Sequence, residues 1–208
     1  MDEVGSIKVV LFDIGGVLVE ITGIHTLRTW TGGRMTVEQL WTMWLSSPAV
    51  RSFETGRCGV DQFAEDLIRE MELPVNTKEF LLEFEGWPRR LMPGAHDLIR
   101  AIPPEYTRAT LSNTNAIHWP RLHTEMELGL LFEHHFASHL TGKIKPDREA
   151  FQHVVNEMRR PAEQILFLDD NAPNVSAATE VGMNAVRVTG VPEAERALIE
   201  AGVLQAQG

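Results

Sequence analysis

The 208-residue chain holds one cysteine, Cys58, so no intrachain disulfide can form and no cysteine-based zinc site is available. No apolar run approaches the length needed to span a bilayer. The opening stretch, MDEVGSIKVV, is acidic and lacks the basic segment of a secretory signal, which makes a cytoplasmic location the default expectation. Positive charge is scarce too: 19 Lys and Arg face 29 Asp and Glu, a formal net charge of −10. A surface of that sign argues against nucleic acid as a partner, although a local cation can still draw a small anion into a cleft. There is no internal repeat, no low-complexity tract and nothing that sets an oligomeric state.

What is present reads as an ordinary globular chain, 43% hydrophobic and 23% charged, long enough for one domain or a domain with an insert. Four stretches have the continuous apolar pattern of parallel strands buried on both faces: IKVVLF (7–12), TRATLS (107–112), QILFL (164–168) and NAVRV (184–188). HFASHL (135–140) is a weaker fifth. Helix-period segments lie between them. GAHDLIRAI puts Ala95, Leu98, Ile99 and Ile102 on one face before Pro103-Pro104 stops it. PDREAFQHVVNEM aligns Phe151, Val154, Val155 and Met158, with Pro146 expected in its first turn. Alternating strands and helices predict a doubly wound α/β sheet.

Residues 20–92 break this rhythm, with no convincing strand and several helix starts. Thr36 with Gln39, and Asn76 with Glu79, form capping-box patterns. Phe63, Leu67 and Met71 recur every four residues, and Trp30, Trp41, Trp44 and Trp87 read as the core of a helical insert. The expected division is therefore a Rossmann-like core of residues 1–19 and 93–208, and a helical insert of 20–92.

In open α/β sheets ligands sit beyond the carboxyl ends of the strands. The residues just past those ends are, in chain order, Asp13 with Gly15-Gly16, Ser112-Asn113-Thr114-Asn115, Lys143 and Lys145, and Asp169-Asp170-Asn171 with Asn174 beyond. Clustered carboxylates repel one another unless a cation intervenes. A hard ion such as Mg²⁺ resolves that repulsion and leaves coordination positions for phosphate oxygens. A hydroxyl, a lysine and backbone amides suit the remaining phosphate oxygens. A carboxylate beside a metal-bound phosphate can attack phosphorus.

In this order the segments resemble the four sequence motifs of the haloacid dehalogenase superfamily, whose members are mostly Mg²⁺-dependent phosphatases. LFDIGGVL resembles the first, TLSNTN the second, KIKPDREAF the third and FLDDNAPNVSAA the fourth. The resemblance implies Asp13 as nucleophile, Ser112 and Asn113 as phosphate partners and Lys145 as the phosphate-neutralising lysine. It implies Asp13, the Gly15 carbonyl and Asp170 as metal ligands, with Asp169 beside them. It also implies that 20–92 is a helical cap, with FETGRCGVDQF as its substrate-facing loop and Glu54, Arg57 and Arg51 as candidate contacts around Gly56. His118 is a weaker candidate for the crevice, and His134-His135 is expected at a helix end.

Two positions depart from the family pattern. Most phosphatases of the superfamily carry a second aspartate two residues after the nucleophile, acting as general acid and then base; here that residue is Gly15. Asn174 replaces a later aspartate of the fourth motif. Gly15 admits three readings. The protein is a phosphatase for a small phosphorylated metabolite whose leaving group needs little acid, such as a sugar 1-phosphate or an acyl phosphate. A branch resembling bacterial α-glucose-1-phosphate phosphatase shares both this glycine and the LSNTN sequence. Alternatively it is a metal-independent 2-haloacid dehalogenase, or a non-catalytic phospholigand-binding regulator.

Overall fold

The computed structural model describes residues 6–206, so the acidic Met1–Gly5 start and the last two residues lie outside it. Five strands form one parallel sheet: β1 (Val9–Phe12), β4 (Thr107–Ser112), β5 (His134–Ala137), β6 (Ile165–Asp169) and β7 (Asn184–Arg187), in the order β5-β4-β1-β6-β7. β1 and β6 are buried along their whole length, as strands covered on both faces must be. Apolar side chains from the two faces separate into two clusters. One gathers Val10, Phe12 and Leu168 against Ile99 and Leu198; the other gathers Leu11, Phe167 and Ile165 against Phe151 and Val154. This is the expected doubly wound α/β core.

The helices expected from periodicity form with small shifts. Ala95–Ala101 buries Ala95, Leu98 and Ile99, and Ile102 is its buried C-cap. Arg148–Met158 begins after Asp147 as its N-cap, so Pro146 precedes the helix and is not in its first turn. β5 is shorter than expected, because Ser138–Thr141 turns into a helical segment. His134 and His135 lie in β5 and do not end a helix; neighbouring residues in a strand face opposite ways.

The insert contains five helices, α1 (Gly23–Trp30), α2 (Val37–Ser46), α3 (Pro48–Glu54), α4 (Val60–Glu70) and α5 (Thr77–Glu85). Both capping boxes are made: Thr36 and Gln39 exchange bonds of 2.8 and 3.2 Å, Asn76 and Glu79 bonds of 3.1 and 3.0 Å. The insert has its own aromatic core. Phe53 stacks on Phe63 at 4.3 Å, and Phe84 meets Phe63, Phe80 and Trp87 at 5.1, 5.4 and 4.9 Å. Trp87 is buried and Trp30 and Trp44 pack against this cluster, but Trp41 faces outward at 40% exposure.

One element was not legible in the sequence. β2 (Val19–Ile21) and β3 (Pro88–Leu91) pair antiparallel where the chain leaves and re-enters the sheet domain. β3 reads PRRL, which opens on proline and has no apolar alternation, so only its pairing with β2 makes it a strand.

Candidate active site

β1 lies between β4 and β6, so the chain leaves it toward opposite sides of the sheet and a crevice opens beyond its carboxyl end. Asp13 stands there, its N–H donating to the Leu168 carbonyl at 2.8 Å. Ser112 ends β4 and Asp169 ends β6. One carboxylate oxygen each from Asp13, Asp169 and Asp170 lies within 4.8 Å of the others. Lys145 enters from the loop before helix Arg148–Met158. Its Nζ is 2.8 Å from Asp13 Oδ1 and 2.7 Å from Asp169 Oδ2.

Three carboxylates against one ammonium leave surplus negative charge in a buried place. Burial pushes the Asp13 carboxyl up to about 7, opposed by Lys145 and reinforced by Asp169 and Asp170. Asp170 is raised by burial and by Asp169, with Lys145 opposing. For Lys145, burial favours the neutral amine, but Asp13 and Asp169 outweigh it and hold the group charged. A cation would relieve this surplus. The available donors are all oxygen, including a Gly15 carbonyl that accepts no hydrogen bond among the described residues. That set suits a hard divalent ion such as Mg²⁺.

The four residues expected around this pocket are not equivalent. Asp169 is saturated: Oδ1 accepts from Asn171 N–H and Asn174 Nδ2, and Oδ2 from Lys145 Nζ and Asn174 Nδ2, all between 2.7 and 3.0 Å. A carboxylate has about four lone-pair directions, so its geometry is that of an anchor for Lys145. Asn174, the neutral replacement in the fourth motif, donates to both oxygens of that anchor. Asn113 spends its side chain on the Lys145 backbone, donating to its carbonyl and accepting from its N–H, both at 2.9 Å. The amide therefore fixes the lysine loop and is not free to clasp a ligand. Ser112 is buried with its Oγ only 3.5 Å from the Asn113 carbonyl, a weak contact that leaves the hydroxyl available.

Gly16 is required by close approach. Its φ is +72°, and an added Cβ would stand 2.2 Å from Asp170 Oδ2. Gly15 differs. A Cβ there would meet only Ile21, at 3.2 Å from Cγ1, so an apolar side chain lies beside the position where the usual second aspartate projects.

From the insert, Glu54 is buried, and burial pushes its carboxyl up to about 8, with Lys145 opposing and Asp13 adding. Arg57 is exposed and makes no side-chain ion pair or hydrogen bond among the described residues, so nothing brings it to the carboxylates. Arg51 pairs with Asp147 across the boundary between the helical insert and the sheet domain, which makes it a fastener. Cys58 packs against the insert's apolar core and has no base partner among the described residues.

His118 also serves the boundary. Asn115 Oδ1 accepts from the N–H groups of Ile117 and His118, which fixes the amide orientation and turns its Nδ2 toward His118 Nδ1 at 3.1 Å. Nδ1 must then accept, and Nε2–H donates to the Phe84 carbonyl of α5 at 2.6 Å. Burial lowers this imidazole to about 4. No spacing rule pointed to this tether, nor to Ser138, whose Oγ accepts from Thr114 N–H and donates to Thr114 O at 2.9 Å each.

The profile of the haloacid dehalogenase-like hydrolase family matches residues 7–182, and the chain belongs to that family. It is a hydrolase by that membership. Among curated proteins it is 30% identical over 189 residues to the sesquiterpene phosphatase astK of Aspergillus oryzae, covering 88% of this chain and 91% of that one. Among solved structures it resembles a HAD-like family hydrolase of Porphyromonas gingivalis, with TM-score 0.75, 23% identity, and 97% and 99% of the two chains covered. It also resembles the HAD family enzyme bt-2542 of Bacteroides thetaiotaomicron in complex with magnesium and inorganic phosphate, with TM-score 0.69, 22% identity, and 88% and 94% covered.

Proposed function

We propose that the protein is a Mg²⁺-dependent phosphomonoester hydrolase that acts on a small phosphorylated metabolite through an aspartyl-phosphate on Asp13. The observation that carries this reading is the cluster of buried Asp13 and Asp169 with half-buried Asp170, Lys145 bridging the first two. Asp13, the Gly15 carbonyl and Asp170 would hold the ion, which supplies positive charge against phosphate oxygens. Asp13 Oδ attacks phosphorus, and the ester oxygen leaves. Lys145 neutralises phosphate charge while Asp169 keeps it in place, and Ser112 donates its hydroxyl to a phosphate oxygen. Residues 20–92 act as the cap over residues 1–19 and 93–208, excluding water from the crevice. The phosphatase relative astK and the magnesium and phosphate bound by bt-2542 support this reading.

For the substrate, Gly15 favours an activated leaving group, as in a sugar 1-phosphate. A second class is supported by likeness to the sesquiterpene phosphatase: a terpenyl phosphate. A phosphate-release screen over sugar 1-phosphates, sugar 6-phosphates, acyl phosphates and terpenyl phosphates, with Mg²⁺ and with chelator, tests both classes. Turnover that persists in chelator or in Asp13→Asn overturns the mechanism. Chloride release from 2-haloacids without metal would establish the dehalogenase reading instead.

A further inference from the structure

We infer that Glu54, delivered by the cap, takes the general acid–base role that residue 15 leaves open, donating a proton to the leaving oxygen and then receiving one from the hydrolytic water. This rests on the aspartyl-phosphate reading of the same site. The geometry starts from α3. Arg51 and Glu54 are three residues apart on that helix, so they share a face. Arg51 engages Asp147, two residues beyond Lys145, which turns this face toward the catalytic lysine. After Glu54 the chain turns at Gly56 (φ +70°), where an added Cβ would come within 2.7 Å of the His139 carbonyl. The segment is thus seated on helix Ser138–Thr141 of the core at one end and fastened to Asp147 at the other.

Glu54 is enclosed between these two contacts. It is 8% exposed, and its carboxyl makes no hydrogen bond or ion pair among the described residues. The charged groups that act on it are Lys145 and Asp13, both of the sheet domain. An unpartnered buried carboxyl is costly unless it is neutral or has a ligand to serve. Its upward shift to about 8 keeps the proton on at neutral pH, as an acid requires. The core offers no substitute at position 15, where Ile21 fills the adjoining space.

The proton balance closes over two steps. Asp13 Oδ forms a bond to phosphorus as the phosphorus–ester oxygen bond breaks, and the Glu54 proton passes to that oxygen, giving the free alcohol. Glu54, now a carboxylate, accepts a proton from water as the water oxygen attacks phosphorus. The Asp13–phosphorus bond breaks, phosphate leaves and Glu54 is reprotonated. With this group in place, the gap at residue 15 no longer restricts the substrate to activated leaving groups.

The test compares wild type and Glu54→Gln on substituted phenyl phosphates whose phenols differ in acidity, reading kcat/KM with Mg²⁺. For poor leaving groups the variant should lose about a hundredfold to ten-thousandfold; for 4-nitrophenyl phosphate the loss should be under about tenfold. The wild-type decline in kcat/KM as pH rises through about 8 should vanish in Glu54→Gln. Glu54→Asp, which keeps the acid but shortens its reach, should recover part of the loss on poor leaving groups. An equal loss for every leaving group, as a binding contact would give, or no loss at all, overturns the role of Glu54. If Asp13→Asn is inactive in the same assay, the aspartyl-phosphate reading survives that outcome. A wild type with no Mg²⁺-dependent turnover, or an active Asp13→Asn, overturns both.

Discussion

At the strand ends the polar side chains are tied to one another: Lys145 to Asp13 and Asp169, Asn174 to Asp169, Asn113 to the Lys145 backbone. The insert is held by stacked aromatic rings and presents Glu54, whose carboxyl has no partner among the described residues. The contrast reflects the different burdens of the two sides. A buried cluster of like charges stays in one geometry only if its surplus hydrogen-bonding capacity is satisfied from the same rigid sheet. The insert has no such cluster to contain, and its own interior is held by packing. The boundary between the two mixes polar contacts, Arg51 with Asp147 and His118 with the Phe84 carbonyl, with close packing of Gly56 against His139 and of Ile117 against the insert's aromatic cluster.

Four changes would separate the two regions further, from the largest effect to the smallest. Asp13→Asn should lower turnover by roughly 10⁴-fold or more, since on the proposed mechanism it removes the attacking group and leaves its volume. Steady-state phosphate release measures this, and thermal unfolding should show that the fold persists. Phe84→Ala should destabilise the protein by about 3–5 kcal/mol through the cavity left among Phe63, Phe80 and Trp87. Denaturant unfolding followed by tryptophan fluorescence reads it; a loss below about 1 kcal/mol would mean that the cap core is loosely packed.

The third change concerns the tether. His118 is held neutral, with its pKa lowered from 6.5 to about 4. Between these values the unfolded chain binds the proton and the folded protein does not, so stability falls as pH drops from about 6.5 toward 4. The contribution of this group is at most about 3 kcal/mol. His118→Gln should flatten that part of the stability–pH curve, and an unchanged slope would refute the tether. Last, Arg51→Ala should cost only about 0.2–1 kcal/mol, because both partners of its ion pair are substantially exposed, at 49% and 42%. Urea unfolding at low and high salt measures it; a larger loss would show that the cap depends on charge at its boundary.

The sheet strands, the capping boxes and the main apolar faces were legible because each rests on local pattern: continuous apolar runs, a cap residue with its partner three positions on, a repeat near four. The β2–β3 ribbon was not, because a three- or four-residue strand has no pattern of its own and exists through its partner. Trp41 departs from expectation for a related reason. Aromatic character marks a residue as able to be buried, and only the orientation of α2 decides which of its faces is.

The sequence by itself determined the order Asp13, Ser112, Lys145, Asp169-Asp170 and the place of each at a strand end or in a connecting loop, because strand and helix periods are written residue by residue. It also determined the gap at Gly15. Only the tertiary structure decided that Asn113 and Asp169 serve Lys145, that Arg51 and His118 fasten the insert, and that the buried Glu54 carboxyl comes under the charges of Lys145 and Asp13. Such roles depend on which atoms share a buried space, and residues 41 and 91 positions apart in the chain come to share one only when cap and sheet close on each other.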